Sequence, residues 1–175
     1  MQARAAVRPK EYLLATGRVI AGSLIMALGA RIAVEIGVVP VTMQLLALAA
    51  VAALLGSRLA PLAMIAYLVE GASGLPFFAG GVGGPQWLVG LTAGYLWSFP
   101  LAAYVIARGL ELPIGRTYAG RALVNIAGLA VVYVFGFMVL AAYIGGPAAF
   151  ATGVLPFIAI DVAKMMLAAF LPPRG

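Results

Sequence analysis

From Tyr12 to Leu171 the sequence is a series of apolar runs separated by Gly, Pro and Arg, and one run carries two opposite charges at its centre. That run is Phe157–Leu171, fenced by Pro156 before it and Pro172-Pro173 after it, with Asp161 and Lys164 inside. Residues three apart on a helix share a face, so carboxylate and ammonium point the same way. One charge at the middle of a membrane helix costs about 2.5–3.5 kcal/mol on insertion scales, so two cost about 5–7 kcal/mol before any pairing. Either mutual pairing or a polar ligand held between helices has to offset that cost.

The class follows from how little charge there is elsewhere. Hydrophobic residues make up 65% of the 175 and charged residues 9%, against about 25% charged in soluble domains. The expected fold is an all-α integral membrane bundle of six transmembrane helices with short loops, without room for a separate soluble domain. There is no Cys and no His, which removes thiol chemistry, thiolate metal sites and the commonest general base. Five acidic residues spread along the chain make a carboxylate metal cluster a poor reading. No cofactor is expected. The net charge of +6 is better explained by loop position in a membrane protein than by nucleic acid.

Residues 1–11 read as a basic cytoplasmic tail, residues 12–171 as the six-helix domain and residues 172–175 as a second short tail. The first span is expected over Tyr12–Ala33, with Arg31 and Glu35 forming a surface pair at its outer end. Pro40 disfavours helix at Val39, so Gly37–Gln44 reads as extended. The second and third spans, Val41–Leu55 and Leu59–Val69, turn at Gly56-Ser57-Arg58. Gly71–Gln86 holds six glycines and two prolines and cannot sustain a helix. The fourth span is expected at Trp87–Ala107 and the fifth at Ala122–Ile144. A loop over Gly145–Leu155 leads to the sixth. With an even number of spans, Arg4, Arg8, Lys10, Arg18, Arg58, Arg108, Arg116, Arg121 and Arg174 fall on one side. The positive-inside rule makes that side, and both termini, cytoplasmic.

Several residues have a functional and a bland reading. Asp161 and Lys164 line an outward-facing pocket, form a structural ion pair, or serve a proton relay, a thin one with a single Asp and no His; intramembrane charges favour the first. Gly80-Gly81-Val82-Gly83-Gly84 lacks the Lys-Ser/Thr of a phosphate loop; it reads as a flexible outer loop or as a lid. Leu91–Tyr95 is a small-residue face where helices approach closely, and Thr92 and Tyr95 offer hydrogen bonds to a ligand. Thr42 and Gln44 open the second span on the outer side with both amide functions of Gln44 available. Glu70 faces outward toward Arg31 or solvent. Trp87, Trp97 and Tyr104 read as interface-belt aromatics.

Val39-Pro40-Val41-Thr42-Met43-Gln44, Gly74-Leu75-Pro76-Phe77-Phe78-Ala79-Gly80-Gly81, Thr92-Ala93-Gly94-Tyr95 and Asp161-Val162-Ala163-Lys164 occur in this order. Together they resemble the BioY family, the biotin-specific S components of energy-coupling-factor transporters. The resemblance covers about residues 12–171. It implies a bundle in the cell membrane of a prokaryote that binds biotin from the outer side, with Asp161 and Lys164 as anchors; Gln44, Thr42, Tyr95 and the Gly80–Gly84 lid, Gly80 and Gly81 first, read as second-tier ligand contacts. It also implies a transmembrane coupling subunit and two ABC-type ATPases as partners, since this chain carries no nucleotide motif. Working alone, as a homo-oligomer or with that module all stay open. So do a secondary transporter or channel for another solute, and a non-transporting subunit. Small residues at i,i+4 on the first helix are where the resemblance implies docking; here that row reads Gly22, Met26, Ala30.

Overall fold

The computed structural model describes residues 9–36 and 39–173; most of the expected N-terminal tail and the end of the C-terminal one lie outside them. Helix α1 (Pro9–Arg31) has 23 residues, about 34 Å at 1.5 Å per residue, enough to cross a bilayer. Strands β1 (Ala33–Ile36) and β2 (Val39–Thr42) follow as an antiparallel pair, with Val34 opposite Val41 and Glu35 opposite Pro40. The segment around Pro40 is extended, as its sequence predicts.

Helix α2 (Gln44–Ala72) spans 29 residues, but Gly56 inside it has φ 73° and ψ 176°. That conformation is open to glycine alone. The Gln44 side-chain amide donates to the Tyr67 hydroxyl at 3.0 Å, although a straight helix would hold these residues about 35 Å apart. The element is therefore a hairpin of two arms, 44–55 and 57–72, with its tip at Gly56, where the sequence placed the turn. Glu111 seals the tip. Its carboxylate accepts from the Ser57 backbone N–H at 2.7 Å and from the Ser57 hydroxyl at 2.8 Å, placing negative charge at the positive end of the second arm.

Helices α3 (Ala93–Glu111), α4 (Tyr118–Ile144), α5 (Gly146–Gly153) and α6 (Ile158–Ala168) complete the chain. The last two are bent by 51° at a short break and act as one broken pass. The bundle thus has six passes. Arg58, Arg108 and Arg116 are exposed at the end carrying the Gly56 tip, opposite the β-hairpin; the excess of positive charge makes that end cytoplasmic.

Some expected element bounds need correction. The fourth helix starts at Ala93, not Trp87, because Pro85–Leu88 forms a 3-10 turn. Side chains tie that segment down: the Trp97 indole donates to the Leu88 carbonyl at 2.8 Å and the Tyr143 hydroxyl to that of Val89 at 2.6 Å. Apolar composition does not separate a helix from a packed loop. Secondly, the loop expected over Gly145–Leu155 is mostly helix α5, with Pro147 in its first turn where no N–H is needed. The row Gly22, Met26, Ala30, whose small-residue pattern Met26 breaks, is buried. A Cβ on Gly22 would lie 2.7 Å from Leu55 Cδ1 and 2.8 Å from the Ala63 Cβ, so this row seats α1 on both arms of α2. It is an internal seam and unavailable to a partner.

One face of α4 holds the cytoplasmic end of α6. The side chains of Tyr118, Arg121 and Asn125 donate to the carbonyls of Met166, Ala169 and Met165 at 3.2, 2.6 and 3.0 Å. Those carbonyls lie at the end of the helix, where those of Met165 and Met166 share only the Ala169 N–H at 3.2 Å and have room for a second donor. Arg121, expected in a loop, lies inside α4 for this purpose.

Candidate binding site

Between the outer ends of α2 and α6 the backbone is irregular, and at membrane depth such backbone is tolerated only where it is packed in protein or lines a cavity. A cavity of about 330 Å³ lies there, within the size range of small-molecule sites. The β-hairpin supplies Val39–Thr42 to its wall and the loop before α3 supplies Phe78, Ala79, Gly80 and Trp87. Thr92 just before α3 and Tyr95, Leu96 and Phe99 within it add to the wall, while α4 adds Val132 and Tyr133. Gly153, Phe157 and Asp161 close it from the last pass.

Asp161 is the charged group on this wall, and only 6% of it is exposed. Its Oδ1 accepts from Lys164 Nζ at 2.7 Å and its Oδ2 from the Tyr133 hydroxyl at 2.8 Å. A carboxylate has about four lone-pair directions, so acceptor capacity remains for a ligand. Lys164 is equally buried and its ammonium also donates to the Thr42 carbonyl at 2.8 Å. It stands behind Asp161 rather than on the wall. Of the two offsets anticipated from the sequence the pair shows one, since the charges meet each other, and Asp161 also faces the cavity.

Thr42 and Gln44 form a second polar cluster. The Thr42 hydroxyl donates to Gln44 Oε1 at 3.0 Å and accepts the Gln44 backbone N–H at 3.2 Å, while Gln44 Nε2 reaches Tyr67. Tyr95 contributes ring and hydroxyl; the latter donates to the Gly153 carbonyl at 2.8 Å. Its ring lies against Gly136, where a Cβ would collide with it.

Of the residues singled out in the sequence, Asp161, Gln44, Thr42, Tyr95, Thr92 and Gly80 meet around this cavity. Lys164 and Gly81 do not line it; Gly81 lies under the Arg31 guanidinium instead. The side chain of Glu35 lies outside the described residues. One carboxylate oxygen of Glu70 is buried without a partner among the described residues. Trp87, read as an interface-belt aromatic, stands on the wall. Tyr133 escaped notice altogether: it lies mid-run in an apolar helix, 28 positions before Asp161, and only the α4–α6 packing joins them. Its hydroxyl in a membrane helix was the one available signal. Among the described residues no three His, Cys, Asp or Glu side chains group as a metal site.

The sequence model of the BioY family matches residues 5–175. A protein of Pyrococcus horikoshii named "Probable biotin transporter BioY" is 38% identical over 148 residues, covering 85% of this chain and 87% of that one. The biotin transporter BioY of Thermotoga maritima is 37% identical over 151 residues, 86% of this chain and 88% of that one. Among solved structures, a crystal structure of the S-component for biotin from an ECF-type ABC transporter superposes with a TM-score of 0.82. It is 21% identical in sequence and the match covers 94% of this chain and 92% of that one.

Proposed function

The chain belongs to the BioY family, and from that premise we propose that it captures biotin at the outer face and delivers it into the cell as the substrate-binding component of an energy-coupling-factor transporter. It is a multi-pass protein of a prokaryotic cell membrane and a transport component, not an enzyme. The ATP-driven step belongs to partners: a transmembrane coupling subunit and two ABC-type ATPases.

The observation that carries the reading is a buried, ion-paired carboxylate, Asp161, on the wall of an otherwise largely apolar cavity. Biotin brings a ureido group with two N–H donors, an apolar thioether ring and a carboxylate tail. Asp161 suits the N–H donors, and a charged acceptor strengthens such bonds. Phe78, Phe99 and Trp87 suit the fused ring. Lys164 supports the site by pairing with Asp161 at 2.7 Å, the partner that a carboxylate buried in a membrane bundle needs. Gln44, Thr42 and Tyr95 add hydrogen bonds, and Gly80 lets the loop approach closely.

Calorimetry of biotin with the detergent-solubilised chain tests this, with Asp161→Asn and Lys164→Ala beside it. Tight binding that both substitutions weaken by more than about tenfold, some 1.4 kcal/mol, is the expected result. A well-folded wild-type chain that does not bind biotin would remove the ligand assignment.

A further inference from the structure

Behind the cavity wall runs a chain of hydrogen bonds that ends at the outer loop. Tyr67, on the second arm of α2, is fully buried and is not part of the wall. Its hydroxyl lies 3.0 Å from Gln44 Nε2 and 3.1 Å from the Phe77 carbonyl. A carbonyl only accepts, so the single Tyr67 proton goes to Phe77. The hydroxyl oxygen must then accept from Gln44, which turns the amide nitrogen toward Tyr67 and its oxygen toward Thr42. Thr42 could not set this direction alone, because a hydroxyl serves equally as donor or acceptor. The Phe77 carbonyl decides it, through Tyr67.

We infer that Tyr67 is a positioning residue: it orients the Gln44 amide toward the ligand and links that orientation to the position of the loop at Phe77. This rests on the biotin reading for its ligand, though not for its link to the loop. Gln44 is 7% exposed and on the wall, with one N–H and one oxygen lone pair unused among the described residues. A ligand is thus offered a donor and an acceptor in a set order. The loop half beyond Phe77 adds Phe78, Ala79 and Gly80 to the same wall. If the loop moves away, Tyr67 loses its acceptor and Gln44 loses its orientation. If the loop closes, both are restored together.

Tyr67→Phe isolates the hydroxyl. The ring packs edge-on against Phe78 at 5.6 Å and near Phe99 at 6.4 Å, contacts that phenylalanine keeps. Two measurements on the full chain in detergent decide the matter. The first is amide hydrogen exchange over residues 73–84 without ligand, where faster exchange in Tyr67→Phe is expected. The second is biotin dissociation followed by tryptophan fluorescence, since Trp87 stands on the wall. Dissociation should speed up about threefold to tenfold, the share of one lost hydrogen bond, with association little changed. On a Gln44→Leu background the same substitution should leave dissociation unaltered, because Tyr67 acts through the amide. Wild-type exchange in Tyr67→Phe, or effects that simply add on the Gln44→Leu background, would overturn the inference. If wild-type protein does not bind biotin, the proposed function fails while the exchange measurement still decides the link to the loop. Should Tyr67→Phe not fold, Gln44→Glu reads the same joint: a carboxylate draws the Tyr67 proton away from Phe77, and loop exchange must rise. Unchanged exchange there would also reject the link.

Discussion

The Tyr133 hydroxyl donates to Oδ2 of Asp161 at 2.8 Å, so helix α4 holds the carboxylate that Lys164 pairs with inside α6. The same α4 face holds the far end of α6 through Asn125, Arg121 and Tyr118. The site's one wall charge is therefore fixed at two heights by a single neighbouring helix. Removing the Tyr133 hydroxyl leaves ring packing in place and takes away one donor from a buried anion. Hydrogen bonds to charged groups contribute about 1.5–3 kcal/mol to stability, so Tyr133→Phe should lower the melting temperature and, by loosening Asp161, weaken biotin binding by about tenfold. Calorimetry beside a thermal melt separates the two effects; unchanged affinity would mean that Lys164 alone positions Asp161.

Lys164→Met should destabilise the protein more than it would a surface pair. It leaves Asp161 buried without a counter-charge, a situation that costs about 3–5 kcal/mol. Adding Asp161→Asn removes the stranded charge and should restore most of the melting temperature, though not ligand binding. A double variant that regains both would show the ion pair to be structural only.

Gly56→Ala tests the hairpin tip. Its φ of 73° and ψ of 176° place an L-residue in a region that costs of order 1–3 kcal/mol. The new Cβ would also stand 3.1 Å from Glu111 Oε1, crowding the carboxylate that caps the second arm. A lowered melting temperature with unchanged biotin affinity is expected, since the tip lies at the opposite end from the cavity. Wild-type stability would mean that the tip relaxes freely.

Gly136→Ala drives a methyl into the Tyr95 ring. Overpacking of this kind costs about 1–3 kcal/mol, and here the displaced ring belongs to the wall. Loss of stability and of biotin affinity should therefore appear together, read from thermal unfolding with and without ligand. Loss of stability with intact affinity would place Tyr95 outside the working part of the site.

Much of this protein was readable in one dimension. Apolar runs, arginines gathered between alternate runs, and Gly56-Ser57-Arg58 between two short runs determine six passes and their orientation, because backbone hydrogen bonding and charge in a bilayer admit few alternatives. Asp161 and Lys164 declared themselves by the cost of burying charge there. Tertiary structure alone decided the rest. It put Asp161 on the wall and Lys164 behind it, because the Thr42 carbonyl that receives the ammonium comes from a strand 122 positions earlier. It turned the row Gly22, Met26, Ala30 inward, since a small-residue stripe does not say which helix it will meet. Tyr133 joined Asp161, and Tyr67 joined Gln44 to Phe77, by contacts whose partners lie on different elements. A hydroxyl in an apolar run says that it needs a partner; only the packed bundle says which one.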